Sequence, residues 1–192
     1  MKRLLDIILG RTQPPPARAD NLLAIASAAV TMQAQLGLTP GDQAGLVFRP
    51  VESPYFDRAE KEVEELLAVS AKETGSAYRT FRDQYGYRWV VLQDPQFEDL
   101  VSIVQMAATT FIEQGFGEQL LAAVFRFTTS EGKPFYWLYQ FKRGVFSPFA
   151  PIPGSNQRRD HAVELRFANA MGRELPVEKA LEYWYPLWDI PF

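Results

Sequence analysis

The sequence predicts an α+β protein in which helices cover mainly one face of an antiparallel sheet, as a two-layer sandwich. Segments of alternating apolar residues are interrupted by helical segments at irregular intervals, whereas a parallel sheet requires a regular alternation of strands and helices. The strands predicted over 120–128 and 134–142 carry aromatic side chains on one face and Arg126, Gln140 and Lys142 on the other. This asymmetry is typical of a sheet with one covered face and one face at least partly solvated.

The chain begins with a segment that predicts a short amphipathic helix. Its apolar side consists of Leu4, Leu5, Ile8 and Leu9. Pro14–Pro16 follows as a semi-rigid spacer. We therefore expect residues 1–17 to form a helix and proline-rich spacer, and residues 18–192 to form a single α+β domain. Asp6 interrupts the apolar run and no small-residue cleavage site follows, so we expect a cytoplasmic protein.

Capping residues and periodicity predict the other elements. Asp20 is expected to begin a helix, and Ser53 and Asp94 each precede a proline at a predicted helix start. One predicted helix begins at each of these three residues, and the helix after Asp94 covers 95–114. Two further helices are predicted over 160–172 and 177–188. The predicted strands cover 29–36, 45–51, 77–84, 87–93, 120–128 and 134–142. Turns are predicted at 39–42 and 85–86.

The composition argues against several functional classes. The 192 residues fit one domain, and a hydrophobic content of 47% is sufficient for a packed core. A net charge of −3 provides no overall basic field, so we expect no nucleic-acid partner. The absence of cysteine excludes thiolate chemistry, and one histidine offers little for a metal centre. We expect neither a cofactor nor a metal.

Five basic side chains are candidates for a site that binds an anion or an acidic partner. They are Lys142, Arg143, Arg158, Arg159 and His161. Gly144 allows a sharp turn, and a helix beginning near Asp160 would add the positive end of its dipole. The alternative is that these are solvated turn residues, with Asp160 capping the helix and pairing with a neighbouring arginine. No catalytic residue is assigned, because His161 has no oriented partner in the sequence.

Two other clusters have less specific interpretations. The acidic helix face at 60–65 would serve solubility or offer charge to a partner. The aromatic residues of 183–188 are predicted to close the core, since no basic groove accompanies them. The N-terminal apolar helix is interpreted as a docking element. A protein partner, the protein's own domain and a membrane surface all remain open as its target.

Short motifs along the whole chain resemble a known family. In order, they are Leu9-Gly-Arg-Thr12, Ser27-Ala-Ala-Val-Thr31, Tyr85-Gly-Tyr87, Gly115-Phe-Gly117, Lys142-Arg-Gly144, Phe149-Ala-Pro151, Arg158-Arg-Asp160, Ala162-Val-Glu-Leu165 and the aromatic ending at 183–188. Their order resembles the PspA-associated PspAB family of the phage-shock envelope-stress system.

The resemblance implies a non-enzymatic accessory or adaptor protein. By the same resemblance, its partner would be a PspA-type coiled-coil protein, and it would act in the cytoplasm with peripheral contact at the inner membrane surface as an option. No catalytic residue is transferred from the family. The alternative function is a small-molecule or anion-binding domain, or an enzyme, that uses the basic Lys142–His161 region.

Overall fold

The computed structural model describes residues 17–192. The predicted docking helix with Leu4, Leu5, Ile8 and Leu9 lies outside these residues. The helices are α1 (Ala24–Leu36), α2 (Pro54–Thr74), α3 (Phe97–Glu113) and α4 (His161–Met171). The strands are β1 (Thr39–Phe48), β2 (Ala77–Arg82), β3 (Arg88–Gln93), β4 (Leu120–Thr128), β5 (Pro134–Gln140) and β6 (Val145–Phe149). Two short 3₁₀ turns cover Gly117–Gln119 and Leu181–Tyr183.

The six strands form one sheet in the order β2-β3-β1-β4-β5-β6. Every neighbouring pair is antiparallel, which confirms the predicted fold class. The hairpins β2–β3 and β4–β5 lie where the sequence predicts them. The strand β6 was not predicted, because its Pro148 suggested an interrupted aromatic segment. Proline is tolerated here because β6 pairs with only one strand of the sheet, β5.

The face of the sheet that α1, α2 and α3 cover carries the main core. The predicted aromatic set is fully buried there and consists of Phe125, Phe127, Phe135, Trp137, Tyr139 and Phe141. From α3, Val104 and Phe111 join the same cluster. The Phe111 ring lies 4.7 Å from that of Phe48 and 5.9 Å from that of Phe56, measured between centroids. The prediction that α3 packs on this aromatic face is confirmed.

The opposite face is covered by the C-terminal segment, where the sequence predicts a helix over 177–188. That helix prediction is wrong, because only the 3₁₀ turn at Leu181–Tyr183 is helical. Pro186 disfavours helical geometry at the residue before it. The chain therefore continues without regular structure and packs Leu187, Trp188 and Phe192 against the sheet. The Phe192 ring sits over Gly45, where a β-carbon would lie only 2.8 Å away.

The prediction of a strand over 29–36 is also wrong, since these residues belong to α1. The buried residues of α1 are Ile25, Ala28, Ala29 and Met32, and their spacing is that of one helical face. Gly37, at a φ of 61°, ends the helix in the left-handed conformation. The predicted turn at 39–42 belongs instead to β1, and a register shift between Pro40 and Ala44 accommodates the proline.

Candidate functional site

The turn between β5 and β6 holds two of the five predicted basic residues, Lys142 and Arg143. The beginning of the described chain is hydrogen-bonded to the same turn and to β5. The Arg18 N–H donates to the Phe141 carbonyl at 2.9 Å, and the Tyr139 hydroxyl donates to the Arg18 carbonyl at 3.0 Å. Burial raises the pKa of Tyr139 to about 12, so the phenol remains neutral and able to donate. These bonds place Arg18 beside Lys142 and Arg143.

The structure divides the five predicted residues into two groups. Lys142 and Arg143 precede β6, whereas Arg158, Arg159 and His161 follow it in sequence. The strand has 5 residues, so its ends lie about 13 Å apart at the usual rise per residue. Arg159 donates to the Pro148 carbonyl, near the far end of β6. The structure thus does not bring all five side chains to one point.

Arg159 has a structural environment that the sequence did not reveal. Its side chain is 10% exposed and faces the fully buried Glu164. Its Nε donates to the two carboxylate oxygens of Glu164 at 2.8 and 3.0 Å. Its Nη1 donates to the Trp184 carbonyl at 2.7 Å and its Nη2 to the Pro148 carbonyl at 3.2 Å. Arg159 therefore joins α4, β6 and the C-terminal segment.

The residues around Arg159 are placed differently. Asp160 caps α4 as predicted, since its Oδ1 accepts the Val163 N–H at 3.1 Å. Neither neighbouring arginine forms an ion pair with Asp160, and Arg159 pairs with Glu164 instead. Arg158 is exposed. His161 is also exposed, with its Nδ1 3.2 Å from the Glu164 carboxylate. A role of these residues in binding stays a prediction.

Arg143 is paired with a buried carboxylate as well. Its Nε donates to Glu178, whose side chain is 8% exposed. Burial alone would raise the pKa of Glu178, but the hydrogen bonds from Arg143 and from the Ala180 N–H outweigh it and lower that pKa. The Arg143 guanidinium also lies 3.9 Å from the centroid of the Tyr183 ring, a cation–π distance. Most of the charge of Arg143 is therefore balanced locally.

A basic patch surrounds this pair. It consists of Arg18, Lys142, Arg143 and Lys179, which line a shallow depression of about 440 Å³. Among residues 17–192, Glu178 is the one acidic residue that lines it. Lys142 and Lys179 are exposed, and neither forms an ion pair with any residue of 17–192. Since the whole chain carries a net charge of −3, the patch is a local reversal of the overall charge.

An apolar groove of about 560 Å³ adjoins the patch. Its floor is the second sheet face, with Val47, Ala122 and Leu138, and its wall includes Tyr185 and Leu187 of the C-terminal segment. Lys142 and Arg143 line both depressions. Sequence reasoning missed the groove, because its wall is the segment that was predicted to be helical. It also missed Arg18 and Lys179, which lie far from Lys142 in the sequence.

Between residues 17 and 192, no three histidine or acidic side chains come together as metal ligands. Within that range, no helix combines the length and the apolar character that crossing a membrane requires.

The fold and these surfaces define an α+β protein built on one antiparallel sheet, with a cationic patch beside an apolar groove. Over residues 2–192 the chain matches the family described as PspAB, PspA associated protein B. The chain therefore belongs to the PspA-associated protein B family, as the motif order suggested. The family description indicates association with PspA and supports a place in the phage-shock stress response. No curated protein and no solved structure matches the chain.

Proposed function

We propose that this chain is a non-enzymatic cytoplasmic adaptor that binds a PspA-type coiled-coil protein through its basic patch. The supporting observation is the concentration of Arg18, Lys142, Arg143 and Lys179 around one carboxylate on an otherwise acidic protein. Helices of coiled coils carry charged residues along the edges of their apolar seam. An acidic edge of such a helix is complementary to the patch.

Lys142 and Lys179, which form no ion pair with any residue of 17–192, are expected to contribute most to attracting an acidic partner. The charge of Arg143, by contrast, is balanced by Glu178. Complementary charges at the rim of an interface act mainly on the association rate and are screened by salt. We therefore expect the partner to bind more slowly and more weakly as the ionic strength rises.

A binding titration with paired charge reversals tests the proposal. Purified protein is titrated with the PspA-type protein of the same genome, by calorimetry. The double variant Lys142→Glu/Lys179→Glu is expected to weaken binding by at least about tenfold, which is 1.4 kcal/mol. The matched control, Arg49→Glu/Lys72→Glu, makes the same charge change at two exposed residues that line neither the basic patch nor the apolar groove, and it is expected to bind normally. Equal affinity of the two double variants would refute the proposed surface.

Residues 1–16 are proposed as a second docking element. This segment joins the described chain next to Arg18, and thus at the basic patch. A helix this short is marginal by itself in water and gains its order from what it binds. Deleting residues 1–16 is expected to leave the melting temperature nearly unchanged and to remove binding of the PspA-type protein. Unfolding or aggregation of the truncated protein would show that the segment is part of the core.

Liposome sedimentation separates the partner from the membrane as the target of this segment. If Leu4, Leu5, Ile8 and Leu9 contact a membrane, the purified protein sediments with anionic liposomes and Leu5→Asp prevents it. If they contact a protein partner, sedimentation requires that partner. The adaptor proposal predicts the second result.

A further inference from the structure

We propose that the apolar groove binds a single-chain amphiphile with an anionic head group. The hydrocarbon chain would lie along the groove floor, and the head group would meet Lys142 at the end shared with the basic patch. Neither the family description nor the adaptor function assigns this site. The inference rests on the geometry and polarity of the groove, and it is independent of the proposed PspA-type partner.

The floor of the groove runs across the strands. Val47 of β1 is the direct cross-strand partner of Ala122 of β4, and Ala122 is that of Gln140 of β5. Ala122, in the middle of this row, has the smallest of the three side chains. From β6 to β1 the groove crosses three strand spacings, about 14 Å in total. One leaflet of a bilayer is similar, about 15 Å or half of the hydrocarbon core, so the groove has the length of an acyl chain.

The walls favour hydrocarbon over a polar ligand. Leu187, which is partly buried, and Tyr185, which is 59% exposed, contribute the accessible apolar surface, whereas Val47 and Leu138 in the floor are only 1% and 3% exposed. The groove volume of about 560 Å³ lies in the range of sites for small ligands. Removing this apolar surface from water would provide the main driving force for binding.

The polar end of the groove explains why the ligand would be an anion. The Gln140 side-chain amide donates to the Ser147 hydroxyl at 2.9 Å and to the Tyr183 carbonyl at 2.8 Å, so these polar groups are satisfied within the protein. Arg143 is neutralised by Glu178. Lys142 is the remaining lining cation, and it has no acidic partner among residues 17–192. An anionic head group would supply that partner.

Titration with laurate tests the proposal, using the full chain and a laurate concentration below micelle formation. The variant Ala122→Phe fills the middle of the floor and is expected to reduce laurate affinity at least about tenfold. Ala170→Phe, at an exposed position of α4, is its control and is expected to bind like the wild type. Circular dichroism melting accompanies each variant. The variant Lys142→Gln, at an exposed site, changes the head-group end without touching the core.

The methyl ester of laurate identifies the role of the charge. Lys142→Gln is expected to weaken laurate binding about fivefold, the upper range for an exposed ion pair. The same change is expected to leave binding of the uncharged ester unaffected. Equal loss for both ligands would overturn the assignment of the head group to Lys142.

Two results would overturn the groove itself. One is laurate binding that is the same in wild type and in folded Ala122→Phe, or absent from both. The other is binding to phosphatidylglycerol vesicles without binding of monomeric laurate, which would indicate adsorption of the basic patch to a membrane surface. Because Ala122 lies outside the patch, a failure of the adaptor proposal would leave the Ala122→Phe result unchanged.

Discussion

Replacing Arg159 with alanine is expected to destabilise the protein more than any other change among the predicted basic residues. The substitution would remove four hydrogen bonds and leave Glu164, whose side chain is fully buried, without its cation. Glu164 would then keep the Ala150 N–H at 2.8 Å and the exposed His161 as its neighbours. Removing one partner of a buried ion pair typically costs about 3–5 kcal/mol.

This cost can be measured by urea or thermal unfolding followed by circular dichroism. For a chain of this size, each kcal/mol lowers the melting temperature by about 2–4 °C, so the expected decrease is about 10 °C. Arg158→Ala is the control, because Arg158 is exposed, and its effect is expected to stay within about 0.5 kcal/mol.

A double variant shows whether the buried charge is the cause. Arg159→Met combined with Glu164→Gln removes both charges and keeps an acceptor for the Ala150 N–H. It is expected to be more stable than Arg159→Ala, since replacing both members of a buried pair is often tolerated. If Arg159→Ala unfolds at the same temperature as Arg158→Ala, the described role of Arg159 is incorrect.

Three further changes test the core, the helix cap and the acid response. Phe111→Ala is expected to cost about 3–5 kcal/mol in urea unfolding, as large-to-small core changes do, because Phe111 is 1% exposed between Phe48 and Phe56. Asp160→Ala is expected to cost about 1 kcal/mol through loss of the α4 cap, whereas Asp160→Asn is expected to retain most of it. The pKa of Glu178 in the folded protein is lowered from 4.5. The pairing of Glu178 with Arg143 therefore stabilises the fold above pH 4.5, and this stabilisation is lost as the pH falls through the folded pKa. When the pH is lowered below 4.5, the variant Glu178→Gln is therefore expected to lose less stability than the wild type. Thermal unfolding at several pH values measures this difference. An equal loss of stability in both proteins would contradict the pairing of Glu178 with Arg143.

The parts of the fold that the sequence predicts well have strong local patterns. Phe125 and Phe127 of β4 and Phe135, Trp137 and Tyr139 of β5 occupy alternate positions. The turn residues between the two strands leave one register. In α3 the apolar residues recur with helical spacing over 17 residues, too long for confusion with a strand. Asp160 could be predicted as a cap because capping depends on neighbouring residues.

The parts that were mispredicted depend on contacts between distant segments. The segment 29–36 is short, so the spacing of its apolar residues alone does not distinguish a strand from a helix. The C-terminal segment gains its conformation from the sheet face that it covers, where the Tyr136 hydroxyl donates to the Phe192 carbonyl at 2.8 Å. No local sequence pattern predicts that contact.

In the candidate site, too, the sequence predicts the local features but not the contacts between distant segments. The sequence singles out Lys142 and Arg143 by their position in a basic turn. It cannot show that Glu178 neutralises Arg143, that Glu164 holds Arg159, or that Arg18 and Lys179 complete the patch. Each of these relations arises from tertiary packing.

Hydrogen–deuterium exchange on the complex with the PspA-type protein tests the proposed binding surface most directly. The amides of 140–147 and 177–180, which surround the basic patch, are expected to exchange more slowly in the complex than in the free protein. The acidic face of α2, with Glu62 and Glu65, is expected to exchange equally in both. Protection of α2 with unchanged exchange around Lys142 would contradict the basic patch as the binding surface.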